Sequence, residues 1–379
     1  MSDIPAPFEG LYDDRHLVWD RFIRVFHWAL VASVTTALVS GFLLDASWIR
    51  LHLMSGSFAV ALVSTRIVWG FTGPTYARFS QFFPSAEQVV SHLRAGTSHA
   101  RHIGHNPLGA LMVFALLLLI IALGLTGVAV LGSGLKTGPL AAFLSAAQGP
   151  FWTELHELAG FALLGLVVLH VAGVIIESRR SRENLARAMA TGRKEKRDGD
   201  LVAPPKPAHL MLAVLLISGL EIGAVVTINA LSQRPLTLPP VGTIAQVYGD
   251  ECTACHMAYH PSTRPAVSWQ LMMNRLSDHF GEDASLPEGT RTEITSWLVQ
   301  HAAGSTDSKP AMLWAGLQET TPMALPDTSI WQALHASIDD DRFKRRAIYS
   351  RSNCIACHKD AETGWFSPFQ ISIPKEPSQ

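Results

Sequence analysis

The sequence predicts an all-α protein in two parts, a bundle of membrane-spanning helices followed by a mainly helical domain outside the bilayer. Three observations predict it. Five apolar segments, near residues 22–44, 51–71, 108–131, 152–176 and 209–231, are each long enough to cross a hydrocarbon core of roughly 30 Å as a helix. With mean hydropathy +0.21, 48% hydrophobic residues and only 16% charged ones, the chain is too apolar for a wholly water-soluble enzyme, and its 379 residues leave room for a second domain. Beyond the fifth segment the chain turns polar and carries all 4 of its cysteines, in two CxxCH pentads that leave none for a disulfide framework.

The N-terminal stretch MSDIPAPFEGLYDDRHLVWDRF mixes acids with bases and lacks a small-residue cleavage site, so residues 1–20 are expected as a retained extension. Between the second and third segments lie Arg78, Arg94 and Arg101, and the loop at 179–207 draws eight Lys and Arg from SRRSRENLARAMATGRKEKR, whereas the loop between the third and fourth has only Lys136. The positive-inside rule makes the first two of these loops and the N-terminus cytoplasmic. The fifth helix, 208–231, then delivers the rest of the chain to the periplasmic side of a bacterial inner membrane. A Pro-rich stretch, 232–246, reads as an extended linker to a domain at 247–379.

The spans carry histidines that lipid-facing helices do not need. In WTELHELAGFALLGLVVLHVAGVIIE, His156 and His170 are fourteen residues apart, so both imidazoles share one face, about 21 Å apart along the axis. Polar groups in hydrocarbon are kept where they bind something, and a neutral imidazole is a strong iron ligand. With spans alternating in direction, His27 and His170 fall at the cytoplasmic level, and His52 and His156 at the periplasmic level. Two pairs at two depths are what two stacked six-coordinate haems require. The competing reading is histidines that pack helices through neighbouring carbonyls. Gly41, fourteen residues after His27, would make room for the other porphyrin. Arg66, fourteen after His52, would meet haem propionates, unless it is a snorkelling interfacial arginine. Gly56 and Gly160 would let a ring lie flat or let helices pack closely. Glu221, midway along the fifth span, is a proton-relay candidate or a protonated packing residue. His16, His92, His99, His102 and His209 are expected to be solvated or interfacial.

The pentads are CTACH, with Cys252, Cys255 and His256, and CIACH, with Cys354, Cys357 and His358. Two thioethers at this spacing clamp the vinyl groups of one porphyrin, and the following histidine falls beneath it as proximal ligand. Each pentad therefore predicts one covalent c haem. Zinc on four thiolates would leave both histidines unexplained. Covalent attachment of this kind is periplasmic in bacteria, in agreement with the side reached by the charge rule. A sixth ligand is still needed, or an open position. SWQLMMNRLSDHF puts Trp269, Met272, Met273, Leu276 and then His279 with Phe280 on one helical stripe, and SIWQALHASI does the same for Trp331, Leu334, His335 and Ile338. His279 and His335 are the distal candidates, with Met272 and Met273 as rivals or packing residues. His260 and His301 look peripheral. Spacing does not say which distal histidine serves which haem.

HW in the first span, His52-x-x-x-Gly56 followed by RIVWGFTGPTYARFS, HNPLG opening the third, and HE with a second His fourteen residues on resemble the bacterial cytochrome b561 and nickel-iron hydrogenase b-type cytochrome family, over about residues 15–180. The resemblance implies a four-helix bundle, here 21–178, holding two non-covalent b haems with ligands His27, His52, His156 and His170. It leaves His105 of HNPLG as a non-axial residue, for a propionate or a quinone. ECTACHMAYHP through SWQLMMNRLSDHFGEDASL, and NCIACHKDAETGWFSPFQISIP, resemble the dihaem cytochrome c family over about 248–375. That resemblance implies two histidines on each c iron, supporting His279 and His335. The family tends to have Pro where His260 stands, which opens an alternative ligand. Without a methionine ligand the c haems should be comparatively reducing.

The expected function is a transmembrane electron carrier. Electrons would pass from quinol, ubiquinol or menaquinol, through two b haems to two periplasmic c haems, and on to a periplasmic electron-transfer or oxygen-binding haem protein. The alternatives are reverse flow from a periplasmic hydrogenase or dehydrogenase to quinone, with the chain as a haem-containing anchor subunit, and a five-coordinate ligand sensor or oxygen reductase. No nucleic acid is expected as a partner. Residues 235–379 hold 11 Lys and Arg against 16 Asp and Glu, which suggests a basic docking partner or simple solubility.

Overall fold

The first membrane helix begins at Asp20. One carboxylate oxygen accepts from the Ile23 amide (3.0 Å) and caps α1 (Arg21–Phe42), and the other accepts from the Trp69 indole (3.1 Å) near the end of α2 (Ile49–Thr72). One residue thus starts one helix and fastens a second to it. The computed structural model describes residues 15–94, 103–198, 200, 202–236, 245–317 and 324–374. His99, His102, most of the N-terminal extension and much of the Pro-rich stretch lie outside the described residues.

After α3 (Ala86–Arg94) come α4 (Pro107–Gly134) and α5 (Gly149–Ser181), then a short α6 (Leu185–Thr191) and α7 (Leu210–Ser232). Among the described residues, five helices are long and apolar enough to cross a membrane, in the order the sequence predicts. At 33 residues α5 is about 50 Å long, more than hydrocarbon requires, and it ends among Arg179 and Arg180. Those cations favour the negative end of its dipole. A two-stranded antiparallel sheet, which the sequence reading did not include, pairs β1 (Arg15–Leu17) with β2 (Arg193–Glu195). Gly192, at φ +82, caps α6, and its carbonyl accepts from the Val18 and Trp19 amides.

The chain forms two compact units, one of Met1–Leu44, Leu51–Leu125 and Glu157–Val226, the other of Asp45–Arg50, Thr126–His156 and Thr227–Gln379. In the first, Phe26, Val34, Ala59, Val63, Leu117, Ile120 and Leu163 make one core from α1, α2, α4 and α5. In lipid such helices associate through close fit rather than expulsion of water. Gly124 illustrates the fit: a Cβ there would stand 2.6 Å from Val60. By contrast, Ala213 is the only buried residue of α7.

In the second unit the polar half is built from short helices: α8 (Gln246–Cys252), α9 (Ala266–Met273), α10 (Glu288–Gln300), α11 (Lys309–Ala315), α12 (Ser329–Leu334) and α13 (Asp340–Phe343). Tyr248, Ala258, Trp269, Met273, Ile294 and Leu298 form one core, and Trp314, Leu325 and Trp331 a second. Both are small, so covalently held groups have much to contribute to stability. The continuous helical stripe expected through His279 is not formed. α9 ends at Met273 with Asn274 as its cap, and Phe280 (φ +55) and Gly281 (φ +92) turn the chain back, so that the His279 amide bonds to the Glu282 carbonyl (2.8 Å). His335 likewise sits just past the end of α12, as its cap.

Candidate functional site

Within the membrane-spanning unit, α1 and α5 bring the imidazoles of His27 and His170 together, with ring centres 6.4 Å apart and the planes tilted by 52°. In the polar half, His256 meets His279 at 6.1 Å, and His335 meets His358 at 6.1 Å. Two iron–nitrogen bonds of about 2 Å, with the short step from each nitrogen to its ring centre, place imidazoles on opposite sides of one iron about 6 Å apart. All three pairs have that spacing. The residues therefore fit a six-coordinate haem at each.

Hydrogen bonds settle the tautomer at several rings. His52 donates from Nδ1 to the Ala37 carbonyl (3.0 Å), His256 to the Met257 carbonyl (2.7 Å) and His335 to the Trp331 carbonyl (2.8 Å). A ring whose Nδ1 carries the proton presents its lone pair at Nε2, the atom that would bind a metal, and the bond to the carbonyl makes it more basic. His156 is held by Thr126 Oγ1 at 2.9 Å from Nδ1. A Cβ on Gly41 would stand 3.1 Å from the His52 ring, and one on Gly127 3.3 Å from the His156 ring. Gly41 thus makes room for an imidazole directly. Gly160 closes against Phe42 in helix packing (3.2 Å to an added Cβ), whereas a Cβ at Gly56 meets nothing within 4 Å.

Arg66 is 3% exposed, its guanidinium lies 4.7 Å from the centre of the Phe79 ring, and its Nη1 has no hydrogen-bond partner among the described residues. A buried cation with an unsatisfied donor calls for an anion, and a haem propionate answers that need. His105 is packed between Trp19 (4.8 Å) and Phe82 (4.3 Å). Burial, reinforced by Arg66 and Lys194, lowers its pKa to about 3, so the ring is neutral, and its Nδ1 has no hydrogen-bond partner among the described residues. Glu221 is half-buried on α7.

The cysteines are unpaired thiols. Burial pushes Cys252 up to about 11, with Glu251 adding to the effect, and burial pushes Cys354 to about 11 as well. No group of three or more His, Cys, Asp or Glu side chains that could hold a metal ion occurs among the described residues. Burial also holds His279, His335 and His358 below the usual imidazole range, with a neighbouring histidine adding to it at His279 and His358. These rings stay neutral and ligand-ready at physiological pH. The first pentad is open, with Cys255 and His256 exposed, and the second is half-buried.

Met273 is buried in the first core and Met272 packs against it, in keeping with their packing role. His301 donates to the Trp297 carbonyl (2.8 Å). His260, expected at the periphery, is instead 1% exposed, with Nδ1 2.7 Å from Ser262 Oγ. Gly364 (φ +75) leaves it that space, since a Cβ there would come within 2.4 Å of the ring. The proline usual at this position gave no hint of an inward-facing side chain.

Two families match the chain: residues 18–192 match prokaryotic cytochrome b561, and residues 248–366 match dihaem cytochrome c. The probable Ni/Fe-hydrogenase B-type cytochrome subunit of Bradyrhizobium diazoefficiens is 24% identical over 213 residues, covering 48% of this chain and 86% of that protein. Its counterpart for hydrogenase 1 in Escherichia coli (strain K12) is 21% identical over 219 residues, covering 49% and 93%. Among solved structures, the dihaem cytochrome c of Rhodobacter sphaeroides is 40% identical, covering 33% of this chain and 98% of that one, with TM-score 0.29.

Proposed function

We propose, for a chain that belongs to the prokaryotic cytochrome b561 family over residues 18–192 and to the dihaem cytochrome c family over residues 248–366, that it carries electrons across a bacterial inner membrane between quinone and a periplasmic redox protein. The observation that carries this reading is the set of imidazole pairs at 6.1 to 6.4 Å on one polypeptide, one in the membrane half and two beside the CxxCH motifs. His27 and His170 hold one b haem, and His52 with His156, paired by level in the sequence, hold the other. Cys252 and Cys255 anchor a c haem between His256 and His279, and Cys354 and Cys357 one between His358 and His335. When bound, haem supplies an iron that alternates between two oxidation states.

The protein's own groups set the rest. The Ala37, Met257 and Trp331 carbonyls, accepting from Nδ1 of His52, His256 and His335, fix the ligating tautomer, Arg66 offers a cation to propionates, and apolar helices keep water away. The basic loops at 179–207 and around Arg78 support a cytoplasmic N-terminus, and with it a periplasmic c domain. Electron flow runs from quinol outward, to a small cytochrome or an oxygen-binding haem protein. The relatives' description as hydrogenase subunits supports a second direction, from a hydrogenase-type donor inward to quinone. Adding a reduced quinol analogue to the purified oxidised protein distinguishes the two. Outward flow requires the b absorption bands to sharpen first and the c bands to follow; if neither changes, quinol oxidation is excluded.

A further inference from the structure

Tyr259 lies on the loop between α8 and α9, three residues beyond the proximal histidine of the first pentad. Its ring stands edge-on to His256, with centres 5.3 Å apart at 63°. Its hydroxyl donates to the Ser352 carbonyl at 2.6 Å. The same carbonyl accepts the Cys354 amide (3.1 Å) and lies 3.7 Å from Cys354 Sγ, the first thioether position of the second pentad. From the other side, the Tyr248 hydroxyl donates to the Tyr259 carbonyl (2.9 Å), fixing the backbone from which the ring projects. Tyr259 also packs against both apolar cores of the domain. One side chain therefore touches the iron-binding histidine of one site and the cysteine-bearing loop of the other.

We propose that Tyr259 is a positioning residue that sets the geometry between the two haem-attachment sites, and through it the rate at which one electron passes between them. This rests on the ligation proposed above. The tyrosine is neither oxidised nor deprotonated in this role: its O–H bond stays directed at Ser352, and the electron lost at one ferrous iron is the one gained at its ferric partner.

Full-length Y259F and Y259L test it. Covalent haem content and the low-spin optical spectrum report on ligation, whereas electron exchange between the c sites after rapid partial reduction, with the magnetic interaction of the two ferric centres by EPR, reports on geometry. Y259F should keep two covalent haems and a low-spin spectrum and slow exchange severalfold, because loss of the bond to the Ser352 carbonyl frees the contact that spaces the two attachment sites. Y259L should slow it further and alter the EPR interaction. Wild-type exchange and an unchanged EPR interaction in Y259F overturn the proposal. If Y259L fails to mature, Y259F decides alone, because it lacks only one hydroxyl. Fewer than two covalent haems in the unsubstituted chain would instead remove the ligation reading beneath it.

Discussion

An imidazole is useful to a redox protein only if its lone pair is available, and the carbonyl bonds at His52, His256 and His335 secure this. The pairing of rings makes a sharp prediction. His279→Ala should convert the first c site to a high-spin form that binds carbon monoxide when reduced, and His335→Ala should do the same at the second, each leaving the other low-spin. A second prediction concerns acidity. The pKa values of His335 and His358 are depressed by burial, so the native domain excludes protons that the unfolded chain accepts. Their stabilisation is complete above the ordinary imidazole value of about 6.5 and is lost as pH falls below it. Denaturant midpoints of the haem-free protein should therefore drop on acidification through that range. Six of the eight candidate histidines stand out in the sequence, four because imidazoles are rare in apolar helices and two because they close CxxCH, whereas His279 and His335 rested on helical stripes and on a family resemblance. Which distal ring faces which proximal one was not legible, because it depends on where α9 and α12 end, and Asn274 with Gly281 decides that locally at His279.

The connections between elements hold their own chemistry. In the loop joining α4 to α5, Lys136, at φ +48 and nearly buried, donates from Nζ to Asp307 Oδ2 and to the Leu144 carbonyl, both at 2.6 Å. Asp307 also accepts from the Ala146 amide (2.6 Å) and from Ser145 Oγ (3.1 Å). Burial alone would raise the pKa of this carboxyl, but Lys136, the Ala146 amide and Ser145 outweigh it and hold it below the usual range. Its contribution is full above the ordinary carboxylate value of about 4 and is lost as pH falls through the depressed one. Removing one partner leaves the buried Lys136 ammonium without its counter-charge, which destabilises the fold. Asp307→Asn should lower the unfolding midpoint and speed hydrogen exchange at the Ala146 amide, and the additional Lys136→Met change should restore part of the loss. No sequence pattern announces a pair 171 residues apart, nor the three-residue strands β1 and β2, whose partners are chosen by tertiary contact. The spanning helices were legible for the opposite reason, because length and apolarity are local properties.

At the scale of the whole molecule, the proposed electron path requires a fixed cofactor ratio. A pyridine haemochrome assay should find equal amounts of haem b and haem c, and His27→Ala should halve the b fraction while leaving c untouched. If the acidic C-terminal half docks a basic partner, transfer to that partner should slow steeply with added salt, whereas exchange within the chain should not. The family resemblance was legible from short motifs that lie at the candidate ligands, such as the HW of the first span and CTACH, whereas the packing that joins them was not. With a single buried residue, α7 asks almost nothing of its neighbours beyond greasiness and length. Segment 214–231 should be interchangeable with an unrelated leucine-rich stretch of equal span, and two ancestral cytochromes would have needed little more than such a generic piece to become one gene product.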